Sequence, residues 1–358
     1  MQIRLHCIKF ALIFTIFLLS IADAAAIINR PDGIDIHFSP QPKPIDNEIY
    51  SNLFTYAHLI DISYCITSIG GLSKPFRCEL DCESRFPNMT LVYQWYFDDS
   101  VTGYIATTYS NIFNYNDTTE AKVPKKTIIV SLRGTRSIFD TYTDLKVDMV
   151  DYSNLRYKLP FCGKNCRVHQ GFFEYFLHTL GNVHRILEKE LEYENYELLI
   201  TGHSMGGSVG LLLALHYLDL GYDKMTLVTM GQPLVGNKEF VHWVDNVMGS
   251  SFEPKHNTFN RKYFRVIHKN DIVTTIPHSN LLNVYHQFDN QIYLNCSSST
   301  TVPFPGRVVD CGYGDNEYCI MKDFDGLGLI DFISRNYFQS HNTYFRRLGL
   351  CGTGLNKH

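Results

Sequence analysis

Apolar residues recur along this chain with two periods, one near two and one near 3.6, and the two alternate. Tyr104–Thr108, Thr127–Leu132, Glu197–Thr201, Met225–Met230, Tyr263–Ile267 and Gln291–Leu294 are short runs rich in β-branched and other apolar residues, and they read as strands. Gly171–Tyr193 places Phe172, Phe176, Leu180, Val183 and Leu187 near one face of a helix. Glu48–Ile60 has helix-like spacing, and Gly207–Leu218 reads as an apolar helix. Ile330–Arg347 reads as a last helical or loop segment that carries His341. Strands alternating with helices predict an α/β fold, a mostly parallel central sheet flanked by helices.

The first residues follow a different pattern. Arg4 and Lys9 precede the apolar stretch Phe10–Ile21, and Ala22-Asp23-Ala24 supplies small residues for cleavage. This is the layout of a signal peptide over residues 1–24, and the apolar run is short for a membrane span of ~20 residues. Residues 25–44, with scattered prolines, are expected to be a poorly ordered extension, and 45–358 a single domain. The expected mature protein is soluble and exported.

Composition sharpens this picture in two places. Net charge is −4 and no Lys/Arg block occurs, which argues against a nucleic-acid partner. Cys7 belongs to the signal, leaving nine cysteines. Cys78/Cys82, Cys162/Cys166 and Cys311/Cys319 are close pairs, Cys65 and Cys351 sit where they can tie the two ends of the mature chain, and Cys296 is left alone. The C-x3-C spacings also suit a zinc site, but no zinc-finger histidine follows, and export favours disulfides. Asn88, Asn116 and Asn295 open N-glycosylation sequons, which suits an exported surface.

The chemistry concentrates at Gly202-His203-Ser204-Met205-Gly206, a G-x-S-x-G string between a predicted strand and a predicted apolar helix. That context predicts the nucleophile elbow of an α/β-hydrolase fold, with Ser204 at the amino end of the helix. Serine needs a base, and the base needs an orienting carboxylate; in this fold both follow the serine in the chain. Asp271, just after the strand Tyr263–Ile267, is the favoured acid over Asp245, Asp289 and Asp310. His278, His286 and His341 all follow it; the residues favour His341 but leave the others open. His203 and His169 read as packing or hydrogen-bonding residues. The oxyanion donors are expected to be the N–H of Met205 and, in the Arg133-Gly134-Thr135 turn, Thr135.

Taken together, "RGT" at Arg133–Thr135, "VHQGF" at Val168–Phe172, "TGHSMGG" at Thr201–Gly207, "GQPLVGN" at Gly231–Asn237, "NDIV" at Asn270–Val273 and "SHNTYF" at Ser340–Phe345 resemble the fungal class 3 lipases, especially their secreted yeast members. The likeness runs from Tyr64-Cys65 to Gly349–Cys351. It implies Ser204, Asp271 and His341 as a triad, Thr135 with Met205 as the oxyanion hole, and the pairs Cys65–Cys351, Cys78–Cys82, Cys162–Cys166 and Cys311–Cys319. The chain departs from the family pattern at Met205, where Leu is frequent, at Leu234, where Arg is usual, and at Asp140-Thr141, where many members have Asn-Trp. Residues 136–150, with Ile138, Phe139 and Tyr142 among polar neighbours, occupy the place of the family's lid.

The expectation is a secreted triacylglycerol lipase that cleaves long-chain acylglycerols at a lipid–water interface. Its chemistry requires no metal or cofactor, and a monomer with no stable protein partner is expected. The alternatives are a phospholipase A1 or feruloyl-type esterase on the same scaffold, or a non-catalytic surface glycoprotein.

Overall fold

A computed structural model describes residues 41–97, 101–112, 125–136, 147–250, 261–277, 283–289, 291–319 and 339–351. The signal segment, Asn116, the lid candidates Ile138, Phe139 and Tyr142, and His278 lie outside the described residues. In chain order the elements are strand β1 (Lys43–Pro44), helix α1 (Asn47–Ser63), strands β2 (Thr90–Trp95), β3 (Thr102–Thr108), β4 (Lys126–Arg133), β5 (Met149–Asp151) and β6 (Arg167–His169), helix α2 (Gln170–Leu191), strand β7 (Tyr196–His203), helix α3 (Met205–Leu220), strand β8 (Met225–Met230), helix α4 (Lys238–Met248), and strands β9 (Tyr263–His268), β10 (Ile292–Leu294) and β11 (Val308–Asp310).

Among the described residues nine strands form one sheet in the order β1-β11-β10-β9-β8-β7-β4-β3-β2. Its centre is parallel: β4, β7, β8, β9 and β10 all run the same way. Antiparallel strands flank it on both sides, β3 and β2 at one edge and β11 and β1 at the other. Strands β5 and β6 make a separate two-stranded ribbon. Lys43 and Pro44, the last residues of the predicted extension, are the edge strand β1.

Both faces of the sheet are covered, and successive residues along each central strand enter opposite cores. Ile128, Val130 and Leu132 of β4, Leu198 and Ile200 of β7, and Leu227 of β8 pack with α2, α3 and α4. Ile129, Leu199, Val228 and Met230 face the other way, toward α1 and the carboxy-terminal residues Tyr344, Phe345 and Leu348. This explains why the strands read as continuous apolar runs. Burying a side chain of this size contributes about 1.5–3 kcal/mol.

The helix starts follow local chemistry. Asp46 caps α1, its carboxylate accepting from the Glu48 N–H at 2.7 Å. His169 caps α2 by accepting from the Phe172 N–H at 3.2 Å, a structural role of the kind its sequence position predicts. Helix α3 is buried along nearly its whole length and ends at Gly221 in the left-handed conformation that favours glycine. It begins at Met205 rather than Gly207, because the chain turns into the helix at Ser204 itself. The described end of the carboxy-terminal segment is a tight turn closed by a bridge between Thr343 and Arg347.

Disulfides join Cys65–Cys351, Cys78–Cys82, Cys162–Cys166 and Cys311–Cys319. Cys296 is a free thiol whose sulfur lies 3.4 Å from Nε2 of His268. The Cys65–Cys351 bridge spans 286 residues of sequence. Chain-entropy reasoning therefore gives it the largest effect, about 6 kcal/mol.

A buried acid pair gives the fold a testable pH dependence. Asp245 on α4 accepts the Asp289 N–H at 3.1 Å, and its other oxygen is buried with no hydrogen-bond partner among the described residues. Burial, reinforced by the neighbouring Asp289 charge, pushes the Asp245 carboxyl up to about 8. The unfolded chain releases this proton near pH ~4. Between those values the folded state binds more protons than the unfolded one, so stability falls as pH rises from ~4 to about 8 and then levels off. Asp245→Asn should remove that slope. Its melting temperature should match wild type near pH 4 and exceed it at pH 9, by roughly 2–4 °C per kcal/mol. Thermal melts across pH 4–9 check this.

Candidate active site

The site is built at the carboxyl ends of β7, β8 and β9. Strand β7 leads into Ser204, whose φ of 57° and ψ of −135° are strained for any residue with a side chain. The turn closes only because its flanks are glycine. A Cβ on Gly202 would fall 2.5 Å from the Gly206 carbonyl oxygen, and one on Gly206 would fall 2.8 Å from the Leu132 carbonyl oxygen. The Ser204 N–H donates to the Met230 carbonyl at 3.0 Å, which fixes the turn to the end of β8. The Ser204 hydroxyl does not cap α3, although the residue occupies the cap position.

The Arg133-Gly134-Thr135 turn is set against this elbow. Strand β4 pairs with β7 up to Arg133 opposite His203, and the Gly134 N–H donates to the His203 carbonyl at 3.2 Å. A Cβ on Gly134 would lie 3.0 Å from the Met205 nitrogen, so the loop passes directly over the first amide of α3. Thr135 follows, half-buried. The first amide of α3, at the positive end of that helix, thus stands next to Ser204 with the Gly134 backbone against it.

Asp271 and His341 meet across 70 residues of sequence, with His341 Nδ1 at 3.0 Å from both Asp271 oxygens. Both side chains are fully enclosed. Asp271 follows β9, and its Oδ1 also accepts the Val273 N–H at 3.0 Å. Its Oδ2 accepts the Tyr344 hydroxyl at 2.5 Å, and the Tyr344 oxygen in turn accepts the His268 N–H at 3.0 Å. Burial opposes ionisation of Asp271, yet the His341 charge and the hydrogen bonds from His341 and Tyr344 outweigh it and hold the carboxyl below its ordinary range. Gly231, with φ of 62°, leaves room for the pair: a Cβ there would lie 3.0 Å from His341 Nδ1 and 3.1 Å from Asp271 Oδ2. Nε2 of His341 is buried with no hydrogen-bond partner among the described residues.

His203 is a hydrogen-bonding residue behind this group. Its ring lies 4.5 Å from that of His341, centroid to centroid. Nε2 donates to the His341 carbonyl at 2.8 Å, so Nδ1 is the acceptor for the Tyr64 hydroxyl at 2.6 Å. Burial and the neighbouring His341 push the His203 imidazole down to about 3, so it is neutral at physiological pH.

The rival acids are engaged elsewhere: Asp310 pairs with Arg261 at 2.8 Å, and Asp245 with the Asp289 amide. His286 sits half-buried where its N–H donates to the Gly236 carbonyl. Tyr344 and Tyr64 are the polar partners that the sequence reading did not single out. Tyr344 lies three residues after His341, a spacing that was its available signal. Among the described residues no group of His, Cys, Asp and Glu is arranged to hold a metal ion. A cavity of about 570 Å³ beside Phe54, Phe86 and Met89 is lined by none of these candidate residues.

Residues 129–281 match the family model for the class 3 lipases. The chain is 30% identical to the secreted mono- and diacylglycerol lipase 2 of Gibberella zeae, over 88% of this chain and 85% of that protein. It is 28% identical to lipase A of Sodiomyces alcalophilus, over 96% of this chain and 91% of that one. Among solved structures, the nonglycosylated LIP2 lipase of Yarrowia lipolytica superposes with a TM-score of 0.72 at 28% identity, covering 88% of this chain and 99% of the other. The chain belongs to the class 3 lipases, serine ester hydrolases of the α/β-hydrolase fold.

The Tyr344 contact gives a test of this geometry. Tyr344→Phe removes one hydrogen bond to a charged carboxylate, an interaction of about 1.5–3 kcal/mol. The expected result is a fall in kcat of roughly 10–100-fold with KM little changed, read on a soluble p-nitrophenyl ester.

Proposed function

We propose that this lipase is secreted and hydrolyses long-chain acylglycerols through a Ser204–His341–Asp271 triad. The observation that carries the reading is the buried His341: one ring nitrogen is fixed by both oxygens of Asp271, the other has no hydrogen-bond partner among the described residues, and the ring packs 4.5 Å from that of His203, the residue before Ser204 in the strained elbow. His341 takes the Ser204 proton as the hydroxyl oxygen attacks the ester carbonyl. Asp271 holds the imidazole in the tautomer with its proton on Nδ1 and stabilises the imidazolium that forms. The N–H groups of Met205 and Thr135 receive the developing oxyanion. His341 then protonates the leaving alcohol, activates water against the acyl-enzyme, and returns the proton to Ser204.

Secretion is supported by the amino-terminal signal layout and by four disulfides. The relative from Gibberella zeae is itself named as secreted. Acylglycerols as substrate are supported by the same relative's name. Residues 136–150 serve as the lid, an inference from their mixed apolar and polar sequence. At its far end, Met149 packs with Leu234 and Tyr285 in a small apolar cluster, and the Tyr285 hydroxyl donates to the Val147 carbonyl at 3.1 Å.

Ser204→Ala and His341→Ala should each lower kcat on the order of 10⁶-fold, because triad members act as a unit. Asp271→Asn should cost on the order of 10⁴-fold through the wrong imidazole tautomer. Full activity in His341→Ala would refute the assignment of the base. For the substrate, activity on a short-chain triglyceride should rise steeply once its solubility limit is passed. Smooth saturation through that limit would point to a plain esterase.

A further inference from the structure

Thr135 is followed by a residue that the catalytic scheme does not use. The Arg136 guanidinium reaches a turn at the end of α1 and the last described residues of the chain. Nη2 donates to the carbonyls of Tyr64 and, at 3.0 Å, Cys351; Nη1 donates to that of Gly349 at 3.4 Å. The guanidinium also lies over the Tyr64 ring, 5.9 Å from its centroid. On the other side of Thr135, Arg133 donates to the Gly134 carbonyl at 2.9 Å and to the Ile66 carbonyl at 3.2 Å. The loop that carries Thr135 is therefore anchored on both sides to one turn, Tyr64–Ile66.

The segment that carries His341 is anchored to the same place. Cys351 is bonded to Cys65, the Gly349 N–H donates to Asp61 Oδ1 at 2.9 Å, and Arg346 pairs with Asp61 Oδ2 at 2.7 Å. His203 completes the link, joining the Tyr64 hydroxyl to the His341 carbonyl. A fork of fixed donors suits this task. It spans three carbonyls on two chain segments at once, which a single ammonium does with less geometric control.

We propose that Arg136 is a positioning residue for ester hydrolysis: it ties the oxyanion loop to the Tyr64–Cys65/Cys351 knot, so that the Thr135 donor keeps its place relative to His341. The proposal rests on the reading of Ser204, His341 and Thr135 given above. In this proposal Arg136 acts through Thr135 and not on the substrate. Its effect is on where Thr135 stands when the carbonyl oxygen becomes an anion, and a displacement on the order of 1 Å there costs up to ~10²-fold in rate.

The test uses the full chain with Arg136→Met and Arg136→Lys. Four quantities are read: kcat and KM on p-nitrophenyl butyrate, the inhibition constant of an alkylboronic acid that mimics the tetrahedral intermediate, and the density of active sites counted with a fluorophosphonate. Arg136→Met should lower kcat per labelled site by roughly 10–100-fold, with KM within about twofold of wild type. Boronate affinity should fall by the same factor as kcat. Arg136→Lys should recover part of both, and it carries the test alone if the Met variant does not fold. A purely structural role would lower the number of labelled sites and leave kcat per site and boronate affinity unchanged, and that result would overturn the proposal. If the boronate binds Ser204→Ala as well as wild type, the reading of the site itself fails, and the proposal with it. If the boronate acts through Ser204 and both Arg136 variants match wild type, the site stands and the proposal falls.

Discussion

The arrangement depends on one strained residue. Ser204 holds a backbone conformation that costs on the order of 1–3 kcal/mol, and it is held by its surroundings rather than by its own preference. Gly202 and Gly206 have no side chains, so β7, β4 and the first turn of α3 can approach to distances that a Cβ would forbid. The Ser204 amide is fixed to the end of β8. This closeness brings the Arg133–Thr135 loop over the first amide of α3, and it lets Gly231 stand against both Asp271 and His341. A methyl group at any of these glycines would have to move backbone or the side chains of Asp271 and His341.

A second constraint is electrostatic. Asp271 is a carboxylate enclosed in protein, and a buried charge is tolerated only where hydrogen bonds replace those of water. His341, Tyr344 and the Val273 amide supply these. Tyr344 and His341 come from the same short segment, which is itself held by Asp61, Cys65 and His203. Helix α1 and the turn after it therefore support His341 from behind, far in sequence from Ser204, Asp271 and His341.

Much of this was legible in the sequence, for reasons that differ by element. The central strands announced themselves because both of their faces are buried, which makes them continuous apolar runs. The elbow was legible because glycine is required at two set places around one serine. Helix α4 was passed over, although Asn237 caps it by accepting the Phe240 N–H, Gly249 ends it, and Phe240, Val241 and Val244 line its buried face. Strands β1, β5, β6 and β11 have three residues or fewer, too few for a period to show. Residues alone left three histidines open as the base, since only the fold brings residues 271 and 341 together. Tyr64 and Arg136 were not legible at all: their roles exist only in contacts between distant segments.

The central claim is that His341, oriented by Asp271, activates Ser204. The most direct measurement is the rate at which diethyl p-nitrophenyl phosphate phosphorylates the protein, with the labelled residue mapped by peptide mass spectrometry. This reports the nucleophile and its activation without depending on substrate preference or on a lid. The account predicts one label per chain, on Ser204, formed at a rate that falls at least ~10³-fold in His341→Ala. Labelling at another residue, or labelling of Ser204 at an undiminished rate in His341→Ala, would contradict it.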